Sequence, residues 1–218
     1  MIIKIQNFSK KFRTRNFFIE QNISIELDNG KVTFLTGNNG SGKSTLMKIL
    51  AGILQINTGE IKVCEQKNFL TWSKFNCYYM PSSEKGLTHK LTGLENIIYL
   101  CSLKGNSKGK TLNVLQNYIK NFSINGLLDM KVGEMSTGQK RLVHILAALC
   151  SPCKILLFDE PTISLDDRNV ECFVSLIQEY KKRSDRKFII VSHERNVREQ
   201  LMEEEYFIDE YHNIVKIR

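Results

Sequence analysis

The stretch Gly37-Asn38-Asn39-Gly40-Ser41-Gly42-Lys43-Ser44 decides which fold this chain can adopt. Two glycines separated by four residues and followed by Lys and Ser form the pattern of a phosphate-binding loop. The apolar residues 32–36 before the loop predict a buried strand, and residues 45–54 after it predict a helix. The helix is expected to bury four apolar residues at helical spacing, which are Leu46, Ile49, Leu50 and Ile53. Such a strand, loop and helix direct backbone N–H groups and the positive end of the helix dipole at one point.

The residue types in the loop suit a nucleoside triphosphate. Gly40 and Gly42 let the backbone approach an anion and adopt positive φ at little cost. Lys43 can reach the β and γ phosphates, and the Ser44 hydroxyl can bind Mg²⁺. A chance glycine-rich turn is the alternative, and the flanking strand and helix count against it. The motif predicts triphosphate binding but does not say what the energy is used for.

The composition is that of an ordinary soluble globular domain. The chain has 218 residues, of which 42% are hydrophobic and 25% are charged, enough for one α/β domain. No apolar run reaches the length of a membrane span, and the N-terminus lacks the apolar core of a signal peptide, so we expect a cytoplasmic protein. The net charge of +8 favours anionic partners such as a nucleotide, an acidic membrane surface or nucleic acid.

The six cysteines include one Cys-x-x-Cys pair, Cys150 and Cys153. A structural zinc site needs a second ligand pair, and none stands at suitable spacing. A redox role is an alternative, but the pair follows a predicted helix and precedes a predicted strand. Inert cytosolic thiols are the favoured interpretation.

The order of predicted elements indicates an α/β chain with a helical insert. Residues 1–35 and the short segments 61–63, 77–80, 155–158 and 188–191 are predicted strands. Thr92-Gly93-Leu94-Glu95 fits a capping box that opens a helix, and residues 115–122 carry a second amphipathic pattern that includes Phe122. We therefore expect a phosphate-loop NTPase core with a mostly parallel sheet, at residues 1–83 and 136–218, with an N-terminal antiparallel β subdomain. Residues 84–135 form the predicted helical subdomain.

Two predicted strands end in residues that suit phosphate chemistry. Asp159-Glu160 follows the apolar run 155–158, where a metal-holding Asp is expected beside a phosphate loop. Glu160 is then a candidate general base for an attacking water. His193 follows the next such strand and could reach a γ-phosphate. The alternative is that the carboxylates only cap a turn and that His193 is structural.

The chain resembles the ATP-binding cassette (ABC) ATPase family over nearly its whole length. The phosphate loop matches from Gly37 to Thr45, Asp159-Glu160 matches the Walker B pair, and His193 matches the switch histidine. The specific element is Met135-Ser136-Thr137-Gly138-Gln139, which resembles the family signature LSGGQ with Met for Leu and Thr for the first Gly. Residues 163–166 resemble the D-loop, and Phe12 stands where the family places an aromatic ring under the adenine.

This resemblance implies a head-to-tail dimer with two ATP molecules between the subunits. Ser136, Gly138 and Gln139 would contact the nucleotide bound by the other subunit's Lys43, and Asp166 would sit across the interface. The resemblance also implies that Mg²⁺ is held by Ser44 and Asp159. The helical subdomain would dock against a membrane partner.

One loop departs from the family pattern. The family has a glutamine between the core and the helical subdomain, but residues 80–85 contain none. Ser82 aligns best when counted from Pro81, and Glu84 is the alternative when counted back from residues 91–93. We take Ser82 as the candidate contact to Mg²⁺ or water, against a purely mechanical role for the loop. The segment resembles a subset of bacterial ABC-2-type exporter ATPases.

The leading hypothesis is the ATP-hydrolysing subunit of an ABC transporter whose membrane-spanning permease is a separate chain. It would be peripheral on the inner face of the cell membrane, paired with an identical or a paralogous ATPase subunit. The alternative is a soluble ABC ATPase acting on ribosomes or nucleic acid. The single cassette and the short helical insert argue against that alternative. A small-molecule kinase would not explain the signature.

Overall fold

The phosphate-binding loop joins a central strand to a helix in a computed structural model of the chain. The structure describes residues 1–12, 15–28, 30–63, 68–119 and 124–218. Within them the strands are β1 (Ile2–Phe12), β2 (Arg15–Glu26), β3 (Val32–Gly37), β4 (Thr58–Val63), β5 (Cys77–Met80), β6 (Ile155–Asp159), β7 (Lys187–Val191), β8 (Glu204–Ile208) and β9 (Ile214–Lys216).

These strands form two sheets. An antiparallel sheet has the order β2-β1-β4, and a six-stranded sheet has the order β5-β6-β7-β3-β8-β9. In the larger sheet only the terminal strand β9 is antiparallel to its neighbour. The predicted mostly parallel core sheet and the antiparallel N-terminal sheet are both confirmed.

The helices of the described residues flank the sheets and supply the insert. They are α1 (Lys43–Leu50), α2 (Phe69–Asn76), α3 (Gly93–Ser102), α4 (Lys108–Ile119), α5 (Asn125–Asp129), α6 (Thr137–Cys150), α7 (Asp167–Arg183) and α8 (Arg195–Leu201), with a 3₁₀ turn at Val132–Glu134. None of these helices has the length and hydrophobicity needed to cross a bilayer.

The predicted insert contains α3, α4 and α5. The capping box of α3 is present: Thr92 Oγ1 accepts from the Glu95 N–H at 3.2 Å, and Glu95 Oε2 accepts from the Thr92 N–H at 2.8 Å. Phe122, expected in the second helix, lies outside the described residues. The bounds of the subdomain at residues 84–135 stay a prediction.

The helix after the phosphate loop is shorter than its apolar pattern predicts. Leu46, Ile49 and Leu50 are buried as expected, but α1 ends at Leu50 and Ile53 is 61% exposed beyond it. Gly52 has a φ of 69°, a left-handed conformation that ends helices and that other residues rarely adopt. The helical spacing of apolar residues therefore extends to Ile53, although the helix itself ends at Leu50.

The central strands separate two hydrophobic cores. Alternate side chains of a strand point to opposite faces, so Leu156 and Phe158 pack into one core while Ile155 and Leu157 pack into the other. The first core lies against α6 and α7, and the second lies between the two sheets and α1. Both faces of the parallel strands are covered, which leaves the carboxyl ends of β3, β6 and β7 at one open edge.

The described cysteines are free thiols, and Cys64 lies outside the described residues. Cys150 and Cys153 are both buried, and burial raises the pKa of each thiol. Burial also raises the pKa of Cys101, to about 12. The described residues contain no group of three or more His, Cys, Asp or Glu side chains arranged to hold a metal ion.

Candidate active site

A cleft of about 560 Å³ opens at the carboxyl ends of the central strands. The phosphate loop and the start of α1 contribute one wall, made of Asn39, Gly40, Gly42, Lys43, Ser44 and Thr45. The other wall contains Ser82, Asp159, Glu160, Ile163, Val191, His193 and Glu194. Six residues of the predicted loop, the Walker B pair and the switch histidine thus line one cavity, whereas the loop residues Gly37, Asn38 and Ser41 are not among its lining residues.

The phosphate loop depends on glycine where it turns. Gly37 has a φ of 138°, and a Cβ built on it would lie 2.3 Å from the Ile208 carbonyl oxygen. Gly42, at a φ of 105°, is the N-cap of α1. No other residue type fits Gly37 without moving β8. The motif glycine therefore sets how closely the loop packs on the sheet.

Lys43 lies across the loop that it follows. Its Nζ donates to the carbonyl oxygens of Gly37 at 2.7 Å and Asn38 at 3.0 Å. Burial lowers the pKa of Lys43, and the carboxylates of Glu160 and Asp159 oppose that shift. The buried Ser41 presents its backbone carbonyl to His212, whose Nδ1 lies 2.8 Å away. The two hydrogen bonds of Lys43 Nζ thus hold its ammonium where an anion bound in the loop would contact it.

Both carboxylate oxygens of Asp159 are held. Ser44 Oγ donates to Asp159 Oδ1 at 3.1 Å, and Tyr79 Oη donates to Asp159 Oδ2 at 2.7 Å. A hydroxyl and a carboxylate side by side at a cleft wall are hard oxygen ligands of the kind Mg²⁺ takes. The donor set therefore fits a magnesium ion. Tyr79 was not predicted, because nothing in the local sequence places its hydroxyl on the neighbouring strand.

Glu160 and His193 meet at the same edge. Glu160 Oε2 accepts a hydrogen bond from the backbone N–H of His193 at 3.3 Å, and Glu160 Oε1 lies 3.3 Å from the ring Nε2 of His193. Burial raises the pKa of Glu160, and the charge of His193 opposes that shift. Glu160 also has a φ of 52°, rare for a residue with a side chain and typical of functional positions under constraint.

The loop that lacks the family glutamine contributes Ser82 to the cleft. Glu84, the alternative, instead forms an ion pair with Lys140 at 3.1 Å. Arg141, which the sequence did not single out, donates to the carbonyl oxygens of Pro81 and Ser82. The structure therefore distinguishes the positions of the two candidates, while the role of Ser82 stays a prediction.

The signature begins α6. Ser136 Oγ accepts from the Gln139 N–H at 3.2 Å, and Gln139 Oε1 accepts from the Ser136 N–H at 2.9 Å, a second capping box. A Cβ on Gly138 would lie 3.3 Å from the Ser164 carbonyl oxygen, so the signature packs against the predicted D-loop. None of the described residues that line the cleft belongs to the signature.

Phe12 ends β1 and is 37% exposed, with Lys10 Nζ at 5.1 Å from the centre of its ring. It is not among the described residues that line the cleft. Its role under an adenine therefore stays a prediction.

A model of the family described as ABC transporter matches residues 20–163, which include the phosphate loop, the signature and the Walker B pair. The chain belongs to the ABC transporter family. The cytochrome c biogenesis ATP-binding export protein CcmA of Legionella pneumophila is 34% identical over 166 residues, covering 75% of this chain and 80% of that protein. The zinc uptake system ATP-binding protein ZurA of Listeria innocua is 29% identical over 200 residues, covering 88% and 77%.

Solved ABC cassettes share the fold. The structure of an ATP-binding subunit of an ABC transporter superposes with a TM-score of 0.84 at 19% identity, covering 100% of this chain and 90% of that one. The dimeric structure of a bacterial ABC transporter cassette gives 0.78 at 22% identity, covering 99% of both chains. The predictions of the fold, of an ATP-binding subunit and of an ATPase are confirmed at the level of the ABC family. The exporter subset stays a prediction, since the similar proteins include both uptake and export systems.

Proposed function

We propose that this ABC protein hydrolyses ATP in a head-to-tail dimer and drives a separate membrane-spanning permease. The observation that carries the proposal is the division of the site within one chain. The cleft contains the phosphate loop, Asp159, Glu160 and His193, whereas the signature lies outside it at the start of α6. A second subunit is needed to bring a signature to each cleft.

Glu160 is proposed as the general base for the attacking water. Its carboxylate faces the cleft, and its raised pKa makes it a stronger base than an exposed glutamate. His193, which holds that carboxylate through its N–H and its ring, would orient it and contact the γ-phosphate. Lys43 and the loop amides would neutralise the charge that develops on the transferred phosphoryl group.

Ser44 and Asp159 are the residues that would hold Mg²⁺, and Ser82 lies on the same cleft wall. A bound Mg²⁺ supplies charge neutralisation at the phosphate oxygens. The work of the chain itself is to keep the hydroxyl and the carboxylate together. The hydrogen bond from Tyr79 serves that purpose, because it fixes the second oxygen of Asp159.

The partner's signature would close the cleft. Ser136 and Gly138 stand in the first turn of α6, where free N–H groups and the helix dipole favour a phosphate. Gln139 would reach the nucleotide from the same turn, and Phe12 would stack on the adenine. Because ATP would bridge two subunits while ADP has lost the bridging phosphate, ATP favours the closed dimer and ADP favours opening.

An exposed apolar surface supports docking against a permease. Phe75, Tyr99 and Leu103 are 49%, 45% and 54% exposed. Lys104 Nζ donates to the carbonyl oxygens of Lys74 and Cys77, so the ends of α2 and α3 that carry Phe75 and Leu103 lie together. Exposed apolar surface of this kind marks interaction sites. Binding there would hold the subunit at the inner face of the cell membrane.

The test is purification of the tagged protein from detergent-solubilised cells, followed by mass spectrometry. The wild type should co-purify a polytopic membrane protein, and the double variant Tyr99→Asp, Leu103→Asp should lose it while keeping ATPase activity. Tyr211→Asp is the control, since Tyr211 is 75% exposed in the turn between β8 and β9. Recovery of ribosomes or nucleic acid with no membrane protein would contradict the proposal.

A further inference from the structure

Arg141 is a buried cation outside the ATP cleft. It lies on α6, five residues after the capping serine of the signature, and is only 7% exposed. Burying a guanidinium is costly unless its donors are satisfied. The reason for its burial must therefore lie in the groups that it contacts.

Those groups belong to the loop that enters the ATP cleft. Arg141 Nη1 donates to the Pro81 carbonyl oxygen at 2.7 Å, and Nη2 donates to the Ser82 carbonyl oxygen. Ser82 itself lines the cleft. The fork of one guanidinium thus fixes two successive backbone carbonyls, a geometry that lysine does not reproduce.

Arg141 also lies within the field of the cleft. Burial lowers the pKa of Arg141, and the carboxylates of Asp159, Glu84 and Glu160 oppose that shift. Negative charge added to the cleft acts on the same guanidinium. The electrostatic energy of Arg141 therefore differs between the empty and the nucleotide-bound cleft. Such a difference is required if nucleotide binding is to change the position of Arg141 and of the groups that it contacts.

The geometry points to Arg141 as a positioning residue that couples the two ATP sites of the dimer. Through it, the loop that lines a subunit's own cleft is tied to the helix whose N-terminus closes the partner's cleft. From Arg141 to Cys150 every residue of α6 is buried, so the helix would respond as one packed unit. The inference rests on the proposed dimer and adds the residue by which one cleft influences the other.

The experiment measures the Hill coefficient of ATP hydrolysis for three full-length variants. Arg141→Met removes the donors but keeps the apolar stem, and Arg141→Lys keeps the charge without the fork. Arg186→Met is the matched control. Arg186 is half-buried and donates to the Leu149 carbonyl oxygen at 3.0 Å, at the opposite end of α6. Binding of ADP, which needs only one subunit's cleft, is measured alongside.

The wild type should hydrolyse ATP cooperatively, with a Hill coefficient between 1 and the two-site limit. Arg141→Met should bring the coefficient to about 1 while ADP affinity stays close to that of the wild type, and Arg141→Lys should fall between the two. Arg186→Met should keep the wild-type coefficient even if it melts at a lower temperature.

A wild-type coefficient in Arg141→Met, or in Arg141→Lys if the first variant does not fold, would overturn the inference. An equal loss in Arg141→Met and Arg186→Met would also overturn it, since the effect would then be general destabilisation. A protein that never dimerises with ATP would refute the proposed dimer, and the inference with it. Sedimentation reports that failure separately from the kinetics.

Discussion

The carboxylate of Asp159 shows how one residue depends on its neighbours. Ser44 binds one oxygen and Tyr79 binds the other. Burial raises the pKa of Tyr79, so its hydroxyl stays protonated and donates. Groups that orient a metal ligand contribute to metal affinity without touching the metal.

We therefore expect Tyr79→Phe to weaken metal binding by about tenfold, because Asp159 loses the partner that orients it. The measurement is a titration of the ADP complex with Mn²⁺, followed by electron paramagnetic resonance. Tyr78→Phe is the control, since Tyr78 lies on the same strand and packs into the opposite core from the one that Tyr79 contacts. Equal Mn²⁺ affinities in wild type and Tyr79→Phe would show that the hydrogen bond has no such role.

The helix α6 carries the signature in its first turn and is buried at every residue from Arg141 to Cys150. His144 is 3% exposed, and burial, assisted by the charge of Arg141, lowers the pKa of its imidazole from 6.5 to about 4. Between these values the unfolded chain binds a proton that the folded chain does not. Lowering the pH from 6.5 to about 4 therefore decreases the free energy of unfolding, and above pH 6.5 the effect is absent.

The prediction concerns the free energy of unfolding, measured by urea denaturation. As the pH falls from 7.5 to 5, the His144 imidazole should lower the wild-type free energy of unfolding by roughly 2 kcal/mol. His144→Leu removes the titrating group, so its own loss over the same interval should be smaller by about that amount. Parallel losses in the two proteins would mean that His144 does not contribute.

Strong local signals made some elements predictable. The capping box of α3 and the glycine loop before α1 are each encoded within a few residues. The helix α2 was missed because its sequence shows no single apolar face. Phe69 is the one apolar residue of this helix that is buried. The usable signal was Asn68, which caps α2 by accepting from the Thr71 N–H at 3.0 Å.

The residues of the candidate site also differ in whether a local sequence signal predicts them. Asp159, Glu160 and His193 were predictable, because they follow apolar strands whose carboxyl ends share one edge of the sheet. Tyr79 reaches Asp159 across 80 residues of sequence, and Arg141 reaches Ser82 across 59. Contacts of this kind depend on how strands and helices pack, and no local spacing encodes them.

The whole molecule carries two half-sites, and in the proposed dimer each would meet the complementary half-site of the same partner subunit. One is the cleft with the proposed base Glu160, and the other is the start of α6, capped and packed against the predicted D-loop. Each subunit carries a net charge of +8, so two subunits repel unless something anionic lies between them. In the proposed dimer ATP would supply both the negative charge and the bridging phosphate, so the nucleotide should control assembly.

Sedimentation velocity of Glu160→Gln with and without ATP is the decisive test of nucleotide-controlled dimerisation. Without the base, hydrolysis should slow by about a hundredfold or more, so ATP stays in place. We expect a monomer without nucleotide, a monomer with ADP and a stable dimer with Mg²⁺ and ATP. Lys43→Ala in the same background should remain a monomer, because its loop cannot hold the phosphates. A Glu160→Gln protein that stays monomeric at saturating ATP would refute ATP-driven dimerisation, and one that hydrolyses ATP as fast as the wild type would refute Glu160 as the base.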